Sequence, residues 1–181
     1  GKIKSSSIKV SKDGSSFILE SGNEKVRCKT VLLGKHNISN ILLAANVALD
    51  LGLTLKEIAS GIEKLSQTAH RLKIVNSNAP YTIIDNSYNS SVEGSKASLE
   101  VLSCFDGNKI IITPGLVELG SSQKDANFEF GANMAKVCDY VIIDSSINFE
   151  AISSGLKASG FDESKIWISE ISIPYFFAVL R

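Results

Sequence analysis

The stretch KIIITPGLVELGSSQKDANFEFGANMAKVCDYVIID, residues 109 to 144, holds the pattern on which the fold turns. "KIIIT" and "YVIID" are short runs that stay apolar instead of alternating, as strands buried on both faces do. Between them a glycine-bearing loop gives way to a helix from about Gln123 to Val137. Strand, helix and strand in that order predict a parallel sheet covered on both faces. The rhythm continues outward. "RLKIVN" and "YTIID" read as strands around a Ser-Asn-Ala-Pro turn. Ser90 and Glu93 have capping-box spacing and open a helix through Phe105. A helix from Asn148 to Ala158, the strand "KIWIS" and a final "PYFFAVLR" complete the α/β segment.

Residues 1 to 33 read differently. "SIKVSKDGSSFILES" and "SGNEKVRCKTVLL" place β-prone runs around Lys-Asp-Gly and Gly-Asn turns. Two helices are expected next. The first, 37–51, is apolar nearly all round and predicts a buried helix, although His36, Asn37 and Asn40 crowd its first turn and Asn46 sits within it. The second starts at Thr54 with Glu57 in capping-box spacing and stripes Leu55, Ile58, Ala59, Ile62 and Leu65 along one face. Two modules are therefore expected, 1–70 and 71–181, hinged between about Ser66 and Arg71.

The totals exclude several classes. The 181 residues carry 19 basic and 19 acidic side chains, with no basic stripe to suggest a nucleic-acid partner. No apolar run reaches the roughly 18–20 residues of a membrane span, and the N-terminus lacks the apolar core of a signal peptide. Cys28, Cys104 and Cys138 are odd in number and form no C-x-x-C, which predicts reduced thiols in a cytoplasmic protein. The two histidines are too distant in sequence to suggest a metal site.

Ligands of an open α/β sheet bind beyond the carboxyl ends of its strands. Here those ends are 85–91, 113–122, 144–148 and 169–170, with Asp85, Asp144, Gly115, Glu118 and Gly120 among them. No P-loop is present, because Gly34-Lys35 precedes His36 and position 29 is lysine; no G-x-G-x-x-G occurs either. Asn37 and Asn40 could cap the helix and bond a loop, or offer paired amide groups to a nucleotide base. Arg71 is a surface cation or a planar two-point phosphate contact. Asp85-Asn86-Ser87-Tyr88-Asn89 suits a strand-to-helix turn, but Tyr88 is an aromatic that such a turn does not need.

Taken in order, "LLGKHNISNILLAANVALDLG", "AHRLKIV", "TIIDNSYNSS" with "SLEVL", and "ITPGLVELGSSQKDANFEFG" resemble the Mur ligase family, the ATP-dependent amide-bond ligases of peptidoglycan precursor synthesis. The resemblance spans about residues 31 to 145, and more loosely the β segment before it. It implies that 1–70 is the C-terminal part of a central ATPase domain. It implies equally that 71–181 is most of a Rossmann-like, mostly parallel C-terminal domain, with the chain cut at both ends. By the same resemblance Asn37, Asn40, Arg71, Asp85 and Asn86 contact ATP, supported by His36. Ser87, Tyr88, Asn89 and Glu118 contact the incoming amino-acid substrate. The catalytic lysine of the P-loop and the acidic residues for Mg2+ fall outside the chain, so it holds no catalytic residue of its own.

The implied partners are a UDP-N-acetylmuramoyl peptide and D-alanyl-D-alanine, joined through an acyl phosphate by an enzyme expected to be monomeric. Two departures stand out: Asn86 where the family has a second Asp, and Val92 where it has proline. A folylpolyglutamate synthase-like ligase and a non-catalytic nucleotide- or ligand-binding module of the same fold remain as alternatives.

Overall fold

The computed structural model describes residues 2–75, 80–88 and 91–169, and the backbone of 176–180. The chain divides into two compact units, Gly1–Gln67 and Thr68–Arg181.

The first unit opens with an antiparallel meander of β1 (Ile3–Ser11), β2 (Gly14–Ser21) and β3 (Glu24–Thr30). The expected turns fall at Lys12-Asp13 and Gly22-Asn23. Alternate residues Phe17 and Leu19 of β2 and Cys28 of β3 point to one face and are buried. Two helices cover that face, α1 (Lys35–Asp50) and α2 (Leu55–Glu63). In α2 the Thr54 hydroxyl accepts from the Glu57 amide while the Glu57 carboxylate accepts from the Thr54 amide, so the reciprocal cap forms as its spacing predicts. Leu55, Ile58, Ala59 and Ile62 are buried; Leu65 lies beyond the last turn and is exposed.

The expectation of a fully buried first helix is corrected. Ile38, Ile41 and Ala45 of α1 are buried in the core and Leu42, Ala48 and Leu49 are half-buried against it, whereas Leu43 is 70% and Val47 60% exposed. Apolar composition all round does not bury a helix when the unit supplies a sheet on one side only. The amides meet local partners. Asn46 Nδ2 donates to Leu42 O at 2.8 Å and its Oδ1 accepts from Ile3 N at 3.1 Å, which ties β1 to the helix.

The second unit is built on a six-stranded sheet. Its strands are β4 (Lys73–Val75), β5 (Tyr81–Asp85), β6 (Asn108–Thr113), β7 (Tyr140–Ile143), β8 (Ile166–Ile168) and β9 (Phe176–Leu180), in the order β4-β5-β9-β6-β7-β8. The β6-β7-β8 half is parallel, as the opening stretch predicts. β4 pairs antiparallel with β5, and β9 inserts antiparallel between β5 and β6. Since β9 opposes both its neighbours, β5 and β6 run the same way, and the carboxyl ends of β5, β6, β7 and β8 share one edge. The connections carry α3 (Val92–Ser103), α4 (Gln123–Met134) and α5 (Ser146–Ala158).

The α4 and α5 helices approach at Gly131 and Gly155, where an added methyl would overlap the Ile152 and Phe128 carbonyls. Cover on both faces does not materialise among the described residues. Ile84, Ile111 and Val141 share one face by register and are buried, whereas Ile110, Ile112, Tyr140 and Ile142 on the other are half-buried. The α3 cap is Ser91, whose hydroxyl accepts from Gly94 N, one residue beyond the expected Ser90. Ser90 and the Ser77–Ala79 part of the expected hairpin turn lie outside the described residues.

Candidate functional site

Asp85 ends β5 on the shared carboxyl edge, and its side chain is the centre of a polar knot. The residue is only 8% exposed. One carboxylate oxygen, Oδ1, accepts from Ser87 N at 3.0 Å and from Ser87 Oγ at 2.7 Å. The other, Oδ2, lies 2.9 Å from His70 Nδ1. An ionised carboxylate only accepts, so Nδ1 carries the proton and Nδ1–H donates. Ser87 Oγ is also 3.0 Å from Nδ1.

Neighbouring residues extend the knot toward the start of the unit. Asn86 Oδ1 accepts from Leu72 N at 3.3 Å and its Nδ2 donates to Ser98 Oγ of α3 at 3.0 Å. Tyr88 N donates to His70 O, and the Arg71 guanidinium carbon sits 4.2 Å from the centre of the exposed Tyr88 ring. Tyr88 thus has a partner that accounts for an aromatic in this turn. Asn89 lies outside the described residues.

The two departures noted in the sequence have local explanations. Asn86 uses both amide ends, one as acceptor and one as donor, and an aspartate there could not donate to Ser98. Val92 is the first helical residue of α3. Proline is favoured at that position because the amide there has no helical acceptor, and any residue with ordinary helical φ can replace it.

The structure brings His70, Arg71, Asp85, Asn86, Ser87 and Tyr88 together. His36, Asn37 and Asn40 belong to the first unit, at the start of α1. Gly34, with φ 84°, precedes that helix and no side chain caps it, so the capping alternative for Asn37 is corrected: its Nδ2 donates to Leu33 O at 2.8 Å instead. His36 and Asn40 are exposed and Asn37 is half-buried. The premise of polar side chains buried in that first turn therefore fails.

The loop after β6 is held by residues that the sequence analysis missed. Asn127 of α4 and Asn148 of α5 are both buried. Asn127 grips the Leu116 backbone at two points, its Oδ1 accepting from Leu116 N and its Nδ2 donating to Leu116 O, each at 2.8 Å. Asn148 Nδ2 donates to Pro114 O at 2.8 Å, and its Oδ1 accepts from Gln123 Nε2 at 3.0 Å. Gly115 between them has φ 84°, and a Cβ there would overlap Asn127 Oδ1. The clamp leaves Glu118 exposed, in left-handed conformation with φ 61°. A cavity of about 370 Å3 lies beside Asn148, lined also by Gly120, Gln123, Lys124 and Ile147 among others. The available signal was an amide on each helix's apolar stripe: Asn127 with Phe130, Gly131 and Met134, and Asn148 with Ala151, Ile152 and Gly155.

Burial pushes the Cys28 thiol up to about 11 and the Cys138 thiol up to about 12, so neither supplies a thiolate near neutrality. Among the described residues no group of three His, Cys, Asp or Glu side chains could hold a metal ion, and no helix is long and apolar enough to cross a membrane.

The sheet edge with its Asp-centred turn and clamped glycine loop belongs to an α/β unit of the Rossmann-like class, in which ligands bind beyond the strands' carboxyl ends. The comparisons place the chain's similarity among the Mur ligases, of more than one type. The chain is 33% identical over 120 residues to the UDP-N-acetylmuramoyl-tripeptide–D-alanyl-D-alanine ligase of Buchnera aphidicola subsp. Baizongia pistaciae, covering 66% of this chain and 26% of the relative. It is 30% identical over 145 residues to the ligase of the same name from Haemophilus influenzae, covering 77% and 32%. The fold matches the MurF ligase of Thermotoga maritima, solved in complex with ADP, with a TM-score of 0.77 and 22% identity over 94% of this chain and 38% of that one. No family model matches. The chain spans about a quarter to a third of the length of these curated relatives.

Proposed function

We propose that this chain is the C-terminal portion of an ATP-dependent ligase that joins D-alanyl-D-alanine to a UDP-N-acetylmuramoyl peptide in peptidoglycan precursor synthesis. On this reading residues 1–70 end the central ATP-binding domain and 71–181 form most of the C-terminal domain. The observation that carries it is the sequence similarity to two ligases of that name, running through this chain at 30% identity or more. ATP supplies the phosphoryl group that turns the peptide carboxylate into an acyl phosphate; the dipeptide amine then attacks the carbonyl carbon, and phosphate leaves with the C–O bond electrons.

The residues present suit a nucleotide. Arg71 offers an exposed, planar, permanently charged group to a phosphate. Asn37 and Asn40 are assigned to the adenine, with His36 in support, and Asp85 and Asn86 shape the turn that carries the nucleotide contacts. Ser87, Tyr88, Asn89 and Glu118 are assigned to the incoming dipeptide, whose charged ends suit a polar edge. No residue of this chain is assigned to Mg2+, and the protein is taken to work in the cytoplasm as a monomer.

The experiment is ATP-dependent amide formation by the complete protein with UDP-N-acetylmuramoyl tripeptide and D-alanyl-D-alanine, followed by mass spectrometry of the product. The expected product gains one dipeptide less one water, and this chain by itself yields none. Absence of that product from the complete, folded protein would overturn the proposal, and ATP-dependent ligation by this chain alone would overturn its status as a portion.

A further inference from the structure

Two residues at the start of the second unit adopt a costly conformation. His70 (φ 62°) and Leu72 (φ 49°) flank Arg71, and both lie in the left-handed region that non-glycine residues avoid. Such strain persists only where surrounding contacts determine it. Here they do so on both sides of the arginine. Before it, His70 O accepts from Tyr88 N and the imidazole Nδ1–H reaches Asp85 and Ser87. After it, Leu72 N donates to Asn86 Oδ1, and the Leu72 side chain is buried. Between these anchors the backbone turns Arg71 outward, with its guanidinium on the Tyr88 ring.

We propose that His70 is a positioning residue: its Nδ1–H bond to Asp85 fixes the strained 70–72 segment, so that Arg71 is laid on Tyr88 before any anion arrives. This rests on the nucleotide reading of Arg71 given above. An arginine ordered in advance loses less side-chain freedom on binding, so the imidazole acts on nucleotide affinity without touching the nucleotide. The group is suited to that work. Its side chain is largely exposed while its partner carboxylate is mostly buried, so the contact serves the geometry of the turn more than the core.

Replacements at position 70 separate the imidazole from the backbone. In His70→Asn the side-chain Nδ2 lies the same number of bonds from Cα as Nδ1, and asparagine accepts left-handed φ. His70→Gln moves the donor one bond further out. His70→Gly tolerates the backbone and removes the donor. Two readouts are taken on the complete ligase: KM for ATP alongside kcat, and, without nucleotide, the ring-current shift of the Arg71 side-chain protons over Tyr88 in arginine-labelled protein.

The expected result is wild-type behaviour for the asparagine variant. The glutamine and glycine variants should lose the ring-current shift and show a KM for ATP raised about 10-fold, equivalent to about 1.4 kcal/mol, with kcat at saturating ATP held. A retained ring-current shift in both the glycine and glutamine variants overturns the positioning role. So does failure of asparagine to restore it. The Arg71→Ala variant in the same assay separates the two readings: unchanged ATP dependence there, with the shift still lost in His70→Gly, removes the nucleotide role and leaves the positioning role standing.

Discussion

Two loops leave the same edge of the second sheet and are held in opposite ways. The turn after β5 is fixed by charged and hydroxyl groups within a few residues of Asp85, joined by the His70–Leu72 segment, and much of it meets solvent. The loop after β6 is fixed by two neutral amides from α4 and α5, fully out of water, that pair with its backbone. The first arrangement presents side chains, Arg71 and Tyr88, while the second fixes the course of a backbone. A side chain that must meet a charged ligand needs an orientation that water can reach. A loop that must stay in place needs partners that water cannot displace.

The contrast predicts unequal costs, and the largest belongs to the clamp. Asn127→Leu strands the buried Leu116 amide and removes the bonds to Leu116 O and Gln123 O. A loss of about 2–4 kcal/mol of unfolding free energy is expected, read from chemical denaturation. A cost no greater than that of Ser87→Ala would erase the distinction between the two loops.

Next comes Arg71, whose proposed nucleotide contact puts its effect on ligand affinity. In the complete ligase Arg71→Ala should lose a charge-assisted bond worth about 1.5–3 kcal/mol, or roughly 10- to 150-fold in apparent ATP affinity. Its melting curve should hardly move, since the side chain supports no core. Arg71→Lys keeps the charge and loses the planar two-point contact, so it should recover only part of the loss. Wild-type ATP dependence of the alanine variant would return Arg71 to the surface.

The same contrast explains what the sequence disclosed. The α/β rhythm, the parallel β6-β7-β8 strands and the Thr54–Glu57 cap rest on periodicities and spacings within a few residues, and all are present. Asp85 drew attention because an Asp-Asn-Ser run at a strand end states its own hydrogen bonding. The clamp was illegible. Asn127 is 11 residues from Leu116 and Asn148 is 34 from Pro114, and no local rule pairs an amide with a backbone group at those separations. The antiparallel insertion of β9 was illegible for the same reason, since its partners β5 and β6 lie far back in the chain. The first helix misled in the other direction. Its composition spoke for burial on every side, yet Leu43 and Val47 face solvent.

A smaller effect tests the turn itself. Ser87→Ala deletes the hydroxyl bond to Asp85 Oδ1 but leaves the Ser87 amide and His70 on the carboxylate. About 0.5–1.5 kcal/mol of stability should be lost, by the same denaturation measurement. A loss well above that range would mean that the knot is cooperative, and its members would then have to be treated as one group.

The smallest effect concerns the most local device, the α2 cap. Hydrogen bonds from the Thr54 amide and hydroxyl hold the exposed Glu57 carboxyl below its ordinary value of 4.5. A carboxylate depressed in the folded state adds stability that is fully present above the unfolded pKa. That stability is lost as pH falls through the folded pKa, because the unfolded chain takes up the proton first. Glu57→Gln does not titrate and keeps a weaker, neutral acceptor for the Thr54 groups. The melting temperature of the wild type should therefore exceed that of the variant slightly at pH 6 to 7, and the gap should close below the ordinary carboxylate range. A gap that stays constant down to acid pH would show that the ionised form contributes nothing. The cap would then act through geometry alone, as the neutral amides do in the clamp.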